Sequence, residues 1–312
     1  MTDANIVFLI SLTIIFIGYL LKRVNIITEE NGDVIAKLIF NITLPSVILS
    51  VISETNLDTS LLLIPLIHIL YGILMAFLGL LLFRNRPRNI KGLLIMSIVG
   101  FNVTHFSFPL VEGIWGAEGM KYIALVDAGN AFTVFILCYI LGSVFSPNNE
   151  DNNGSKINFK KIISKLKKSV PIWSYLIAIS INLSGIEMPI FFTNLVGILA
   201  RANTALSLLL LGTFLNFKFE KSEWKIMLKS LFMRYGIGLL IGISLFFILL
   251  NFSFPELFRK ILAISLVLPM GLAVIPYSVE LNYNKKLITM ISNLCILISF
   301  SLVWILVLVL NG

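Results

Sequence analysis

The chain has 312 residues, of which 58% are apolar and only 13% are charged, and its formal net charge is +8. Soluble globular proteins are nearer half apolar and a quarter charged, so this composition leaves too little polar surface for a water-facing exterior. A cytosolic enzyme, a disordered protein and a nucleic-acid binder are therefore excluded, and a polytopic membrane protein remains.

Ten apolar stretches are long enough to be membrane spans. Helices are predicted because lipid-exposed backbone must satisfy its own hydrogen bonds. The first stretch precedes its basic pair, Lys22 and Arg23, which is the reverse of a secretory signal, so a retained span is predicted. The predicted spans are 5–21, 34–53, 60–83, 92–113, 119–145, 170–187, 189–213, 228–250, 260–280 and 286–310.

The distribution of Lys and Arg predicts the orientation. Loops after the odd-numbered spans contain 18 of the 24 basic residues, whereas the opposite loops contain three. Because cytoplasmic loops are enriched in Lys and Arg, we expect a multi-pass plasma-membrane protein with both termini extracytoplasmic. The positive charge is thus interpreted as a topology signal, and no nucleic-acid partner is expected.

The longest loop divides the chain into two halves of five predicted spans. Residues 1–145 form the first five-helix repeat, 146–169 form a cytoplasmic linker loop, and 170–312 form the second repeat. Because five is odd, the second half enters the membrane from the opposite side, and any repeat must be inverted. The lysine-rich second half of the linker is compatible with an amphipathic helix on the anionic inner leaflet.

Weak internal similarity favours this inverted repeat. Residues 41–44 resemble 203–206 at an offset of 162, and 108–110 resemble 268–270 at an offset of 160. The agreement in offset and in span order supports the repeat more than either match does alone.

Predicted spans four and nine both contain helix-breaking residues. Proline removes a backbone donor and clashes with the preceding turn, and interrupted spans at corresponding positions of two halves point to a transporter binding site. Two ordinary kinked helices, repaired by Ser and Thr, are the alternative. Span four contains Asn102, Thr104, His105, Ser107 and Pro109, and span nine contains Pro269, Gly271 and Pro276.

An interruption at these positions has chemical consequences. The half-helix that begins there presents unpaired N–H groups and the positive end of its dipole, which favours an anion such as a carboxylate. Asn102, Thr104 and Ser107 would line the gap as neutral hydrogen-bonding groups. The carbonyl groups freed at the other half-helix could accept a cation or polar substrate atoms.

Charged residues within spans are expensive and usually functional. Asp127 lies in span five with Asn130 on the same helical face, and Arg201 lies in span seven, followed by Asn203. Arg201 is expected to attract a substrate carboxylate and Asp127 to respond to protons or cations. The alternative is a structural Asp127–Arg201 pair.

The other polar or reactive residues in the spans are expected to have mainly structural roles. His105 can titrate in the break, although a hydrogen-bonded packing role is the commoner one for a lone histidine. Lys37 and Arg234 are placed near the inner ends of their spans, where we expect them to snorkel. Cys138 and Cys295 lie in apolar runs as buried thiols, so no metal site and no cofactor is expected.

These residues resemble the auxin efflux carrier family, which includes plant auxin exporters and prokaryotic relatives. The resemblance covers essentially the whole chain and depends on the order and spacing of several segments. The family has an Asn seven residues before the proline of span four, as Asn102 and Pro109 stand here, but usually glycines where this chain has Thr104 and Ser107. The matching segments are Leu44-Pro45, residues 102–109, Asp127 with Asn130, residues 202–212 and the proline-containing span nine.

The resemblance implies an all-α membrane protein with about ten transmembrane helices arranged as a 5+5 inverted repeat. Spans one, two, six and seven would form a scaffold, which is often dimeric, and the other spans would form a moving core. Broken helices four and nine would cross at mid-membrane. Family substrates are small organic anions, such as auxins in plants and malate or related acids in bacteria.

The sequence therefore predicts a secondary transporter that moves a small carboxylate across the bilayer by alternating access. Asp127 and His105 are the candidates for coupling, with H⁺ or Na⁺ and a homodimer left open. The predicted substrate-binding residues are Asn102, Thr104, Ser107, Pro109, Asn130, Arg201, Asn203, Pro269, Gly271 and Pro276.

Three alternatives are kept. A sodium-coupled carrier of the bile acid:sodium symporter type would have the same fold. A membrane enzyme is disfavoured because the sequence lacks an H-E-x-x-H metal motif and a G-x-S-x-G nucleophile elbow. A channel or passive sensor would show flux that does not saturate.

Overall fold

The computed structural model describes residues 2–55, 58–147, 159–216 and 224–311, and the regular structure in these ranges is almost entirely helical. Short π-helical turns at Ile39–Thr43, Val103–Ser107 and Thr133–Cys138 join α2 to α3, lead into α6 and join α6 to α7. The first half contains α1 (Thr2–Arg23), α2 (Glu29–Leu38), α3 (Leu44–Glu54), α4 (Leu63–Leu82), α5 (Arg88–Val99), α6 (Phe108–Phe132) and α7 (Tyr139–Val144).

Proline and glycine mark several helix ends in the second half and at α5. Pro87, Pro189 and Pro255 stand directly before α5, α10 and α12, where a missing backbone N–H costs nothing. Helix α9 ends at Gly185, whose φ of 66° is a left-handed conformation that favours glycine. The linker contains α8 (Phe159–Lys168), and the helices of the second half are α9 (Val170–Ser184), α10 (Ile190–Phe214), α11 (Trp224–Ile248), α12 (Glu256–Ser265), α13 (Val274–Glu280) and α14 (Lys285–Asn311).

Seven helical stretches in the described ranges are long and apolar enough to cross a membrane. Large apolar side chains are exposed along their outer faces, as at Leu9 and Phe16 of α1 and Leu70 and Phe77 of α4, which a bilayer would cover. The predicted class, an all-α polytopic membrane protein, is confirmed. The seven stretches are Ala4–Arg23, Glu30–Glu54, Ser60–Leu82, Val103–Val144, Ile190–Phe214, Trp224–Phe252 and Lys285–Leu310.

The stretch Val103–Val144 has 42 residues, about twice what one crossing needs, and Gly116 folds it into two arms. Gly116 has φ 56° and ψ −146°, a backbone conformation that suits glycine. Phe101, just before the first arm, is hydrogen-bonded to Asn130 on the second. Both residues are about equally far from Gly116 along the chain, so the two arms lie side by side. The first arm corresponds to the end of predicted span four, and the second arm corresponds to predicted span five.

The remaining predicted spans are present only as shorter pieces. Helix α9, at the position of predicted span six, has 15 residues. Predicted span nine is divided between α12 and α13, which have 10 and 7 residues. The count of ten spans and the inverted repeat therefore stay predictions.

The helices pack in two groups. In the first group, α1 packs against α10, and α3 packs against both α9 and α10. Gly18 on α1 and Gly212 on α10 allow the closest approach, because a Cβ atom at either position would overlap the backbone of the other helix. In the second group, α4 packs against α5 and α6, while α11 packs against α12. The division into a scaffold and a moving core, which the resemblance implies, stays a prediction.

Candidate functional site

Two helical segments are interrupted within the protein. Helix α5 ends at Val99 and helical structure resumes at Val103, while α12 ends at Ser265 and α13 begins at Val274. The broken-helix prediction is thus correct, and the alternative of two continuous kinked helices is not.

The position of the first interruption corrects the sequence expectation. The break lies at residues 100–102, at the start of the polar segment, and Pro109 lies in the first turn of α6, which continues the π-helical turn Val103–Ser107. Helical structure continues through Pro109 from Val103 to α6, so Pro109 does not itself break the helix. In the second interruption Pro269 does lie in the non-helical segment, whereas Pro276 lies inside α13.

The two non-helical segments cross and pair with each other. Phe101 and Met270 form an antiparallel β-bridge. The backbone N–H of Asn102 donates to the carbonyl of Pro269 at 2.8 Å, and the N–H of Gly271 donates to the carbonyl of Gly100 at 3.3 Å. Backbone groups freed by one break are thus satisfied by the other, as buried polar groups must be.

Asn130 completes this pairing from the neighbouring arm of α6. Its Nδ2 donates to the carbonyl of Phe101 at 2.9 Å, and its Oδ1 accepts from the N–H of Phe101 at 2.9 Å. The side-chain amide thus holds the non-helical segment as an adjacent β-strand would. Its role in the structure is to position Phe101 and Asn102.

A small cavity of about 50 Å³ lies beside the crossing. A cavity needs roughly 10–15 Å³ per water, so it has room for a few waters or one carboxylate group. Its walls combine polar groups with the apolar side chains of residues such as Phe40, Leu44 and Phe135. The predicted site residues that line it are Asn102, Thr104, His105, Asp127, Asn130 and Gly271.

Asn102 has an unpartnered donor group at this cavity. The residue is 4% exposed, and its Oδ1 accepts from the N–H of His105 at 3.3 Å, which caps the helical turn that follows. Its Nδ2 has no hydrogen-bond partner among the described residues. Burying an unsatisfied polar group costs free energy, so a ligand that accepts a hydrogen bond would be stabilised here.

Asp127 lies in the same cavity wall and is held by hydroxyl groups. The Tyr175 hydroxyl donates to Oδ2 at 2.9 Å, and the Thr104 hydroxyl lies 3.4 Å from Oδ1. Tyr175 belongs to α9, so this hydrogen bond connects the two helix groups. Among the described ion pairs none joins Asp127 to Arg201, so the alternative of a structural pair is not what the structure shows.

The two histidines have different surroundings. His105 is buried at the cavity, with Nδ1 3.5 Å from the Ser207 hydroxyl and Nε2 without a partner in the described part of the chain. His68 is buried on α4, with Nε2 2.7 Å from the hydroxyl of Ser265 at the end of α12. His105 therefore has a free ring nitrogen at the cavity, whereas His68 supports the second interruption.

Other predicted site residues lie outside the cavity wall. Ser107 donates its hydroxyl to the carbonyl of Val103 at 2.7 Å, and Asn203 accepts from the hydroxyl of Thr43 at 3.0 Å. Both pairs are buried. The hydrogen-bonding atoms of Ser107 and Asn203 thus stabilise helix contacts around the site.

The position of Arg201 differs from the sequence expectation. The structure places it on the exposed side of α10, whereas Asn203 is buried on the same helix. Two residues along an α-helix differ by roughly 200° in direction, so Arg201 points away from the buried face of α10 that carries Asn203, and it does not line the cavity. The sequence did not show which face of this apolar helix points inwards.

The position of Arg234 also differs from the sequence expectation. It was expected near the inner end of its span, yet it lies within α11 and is 1% exposed. Its guanidinium donates to backbone carbonyls of both interrupted segments. The general rule that an intramembrane arginine marks function could have identified it. The rule was not applied to Arg234 because the residue was expected near the inner end of its span.

A larger vestibule leads from the cavity to one face of the molecule. Its volume is about 830 Å³, and it shares six lining residues with the smaller cavity: Phe40, His105, Phe135, Pro171, Leu272 and Ala273. Pro276 contributes to its wall. The charged residues around its mouth are Asp33, Lys165, Lys168, Glu280 and Lys285.

Helix α8, the predicted amphipathic helix, lies at this mouth. Ile162 is buried, and Lys165 forms an ion pair with Glu280 of α13 at 2.5 Å. Glu280 also accepts from the hydroxyl of Tyr139 at 2.7 Å. The described part of the linker is therefore joined to the second interrupted segment.

Interrupted helices that cross beside a cavity, inside an apolar helical bundle, are typical of membrane transporters. Comparison with known proteins leads to the same class. Residues 5–309 match the family described as a membrane transport protein. The chain belongs to this family, as the resemblance to auxin efflux carriers predicted.

Its relatives are named as transporters without a stated substrate. An uncharacterized transporter of Methanothermobacter thermautotrophicus is 27% identical over 216 residues, which cover 67% of each chain. The uncharacterized transporter YfdV of Escherichia coli K12 is 23% identical over 245 residues, which cover 75% of this chain and 76% of that one. The family is one of membrane transporters, and no relative named here is described as an enzyme.

Proposed function

We propose that the protein is a secondary carrier that moves a small organic anion by alternating access, with a carboxylate group bound beside the crossing. The observation that carries this proposal is the buried Nδ2 group of Asn102, which lines the cavity without a partner among the described residues. An amide N–H donates, so its missing partner is an acceptor such as a carboxylate oxygen.

Two helix starts lie at the same place. Val103 and Thr104 open the helical turn after the first break, and Leu272 and Ala273 precede the first turn of α13; all four line the cavity. The N–H groups of Val274 and Ile275 already donate to the carbonyls of Gly271 and Leu272, so the contribution of these helix starts is the helix dipole, which favours negative charge there. The crossing thus turns two positive helix ends towards one small cavity.

In this proposal Asp127 couples the binding of the substrate to the binding of a proton. Its carboxylate and a bound carboxylate would share a cavity of about 50 Å³, and two negative charges so close repel strongly in a low dielectric. No lysine or arginine is among the described residues that line this cavity. Binding one proton, on Asp127 or on His105, removes the repulsion, so we propose that a proton accompanies the anion.

The vestibule supports entry of an anion from one side. Lys165, Lys168 and Lys285 stand at its mouth with Asp33 and Glu280, so basic residues outnumber acidic ones there. By the distribution of basic residues in the sequence this face is cytoplasmic, and both chain ends are then extracytoplasmic at the plasma membrane. The structure corresponds in this proposal to an inward-open state.

Sodium coupling is the second candidate because one observation favours it. The carboxylate of Asp127 and the hydroxyl of Thr104 lie 3.4 Å apart at the cavity, and oxygen atoms of this kind bind hard cations. A bile acid:sodium symporter-like carrier would use such a site. Replacing sodium by potassium at constant pH separates the two candidates, because only the sodium-coupled one loses uptake.

The decisive experiment is counterflow in proteoliposomes. Vesicles containing the purified protein are loaded with one unlabelled mono- or dicarboxylate at a time, and uptake of the labelled compound is followed. We expect saturable accumulation of at least one carboxylate, reduced by Asn102→Ala and unchanged by Asn194→Ala, a matched substitution on the exposed surface of α10. Failure of every carboxylate tested, or flux that rises without saturation, would contradict the proposal.

A further inference from the structure

Arg234 has an unusual environment for an intramembrane charge. It is 1% exposed, and in the described part of the chain it forms no ion pair with a carboxylate. Four N–H groups of its guanidinium donate to backbone carbonyls instead. The distances are 3.3 and 2.8 Å to Leu268, 3.1 Å to Ser97 and 3.0 Å to Gly100.

Two of the carbonyls, those of Ser97 and Gly100, are at the C-terminal end of α5, and the third, that of Leu268, lies in the segment that follows the C-terminal end of α12. The last carbonyls of a helix lack partners, and each helix end carries roughly half a negative charge. Two such ends together match the single positive charge of the guanidinium, which explains how Arg234 is accommodated without a carboxylate.

The residues that Arg234 contacts adjoin, along the chain, the two segments that pair beside the cavity. Gly100 directly precedes Phe101 and Asn102, and Leu268 directly precedes Pro269, which accepts from the N–H of Asn102. The guanidinium carbon is also 4.6 Å from the centre of the Phe101 ring. Arg234 itself does not line the cavity, so it reaches a ligand only through these segments.

We infer that Arg234 is a positioning residue: its guanidinium joins the two non-helical segments and thereby holds Asn102 in place in the cavity wall. The two interrupted helices then behave as one unit, since both are bonded to the same side chain of α11. The role at the crossing follows from the contacts alone, and its effect on transport rests on the proposed function.

Hydrogen–deuterium exchange tests the first part without any substrate. Wild type, Arg234→Met, Arg234→Lys and Lys225→Met are compared in nanodiscs; Lys225→Met removes an exposed charge from the same helix. In Arg234→Met we expect the amides of residues 100–103 and 270–273 to exchange about tenfold faster or more, because the charged hydrogen bonds that keep these segments closed are lost. Exchange in α1 and α10 stays unchanged.

The conservative variant separates positioning from general stability. The ammonium of Arg234→Lys keeps the charge but not the planar fork, so its exchange rates lie between wild type and Arg234→Met. Lys225→Met exchanges like wild type. Unchanged exchange at the crossing in Arg234→Met overturns the inference, and so does a rise throughout the protein in both Arg234 variants.

Counterflow tests the second part. In Arg234→Met the KM for the carboxylate rises about tenfold or more while the saturated rate changes less, and Arg234→Lys restores part of the affinity. A KM equal to wild type would show that Arg234 does not orient the binding group. If wild type moves no carboxylate while the exchange pattern is as expected, the proposed function fails and the role at the crossing stands.

Discussion

Asn102 offers a test that separates two tasks of one side chain. Its Oδ1 caps the turn that begins at Val103, and its Nδ2 is a buried donor without a partner among the described residues, on a side chain that lines the cavity. Asn102→Ala removes both groups. Asn102→Asp keeps an acceptor for the His105 N–H but replaces the donor with a carboxylate oxygen.

The expected magnitudes follow from these two contacts. A hydrogen bond to a charged group contributes about 1.5–3 kcal/mol, so losing the donor should weaken carboxylate binding roughly 10- to 100-fold. Losing the cap costs about 1 kcal/mol of stability, and only in Asn102→Ala. Asn102→Asp adds a negative charge beside the ligand, so it should bind the anion more weakly than Asn102→Ala although its cap is kept.

The assay is a pair of measurements on each purified variant. Counterflow at several substrate concentrations gives the KM, and thermal unfolding of the ligand-free protein shows whether the fold is intact. Asn102→Asp binding the carboxylate as tightly as wild type would refute the reasoning, because an extra carboxylate cannot replace a donor to an anion.

Three further predictions use other parts of the structure. Asp127→Asn should make carboxylate uptake independent of an imposed pH gradient while binding persists; proton-driven uptake that survives would move coupling away from Asp127. Gly212→Ala should lower the unfolding temperature markedly, since its methyl group overlaps the backbone of α1, whereas Gly197→Ala, with no atom within 4 Å, should not; equal effects would contradict the packing argument. Lys165→Gln should free α8 from Glu280 and speed trypsin cleavage within α8, with a loss of stability under about 1 kcal/mol for this partly exposed pair; unchanged cleavage would show that the pair does not hold the helix.

Much of the architecture was predictable because it depends on local composition. Apolar length alone indicated helices, and the residues Pro109, Pro269 and Gly271 indicated two interrupted segments. The prediction of a break in each half is correct, although the first break lies at residues 100–102. A proline marks a region where a helix is weakened, but the neighbouring groups that can take over its lost bonds decide where the helix opens.

The candidate site was predicted in part. Asn102, Thr104 and Asp127 do line one cavity. These residues could be predicted because the break in span four and the helical spacing in span five can both be recognised from the sequence. Tyr175, which donates to Asp127, was missed because its helix is distant in sequence. A single hydroxyl in an apolar span carries no signal of its partner.

The two arginines show most clearly what could not be predicted from the sequence. By its sequence each is a charge inside an apolar segment, and the sequence-based assignment gave Arg201 to the substrate and Arg234 to the membrane surface. The structure exposes Arg201 and buries Arg234 among carbonyl groups. The cost of a charge in the membrane is local and could be recognised from sequence. The groups that offset it come from helices far apart in the chain, so only their packing decided which arginine serves the crossing.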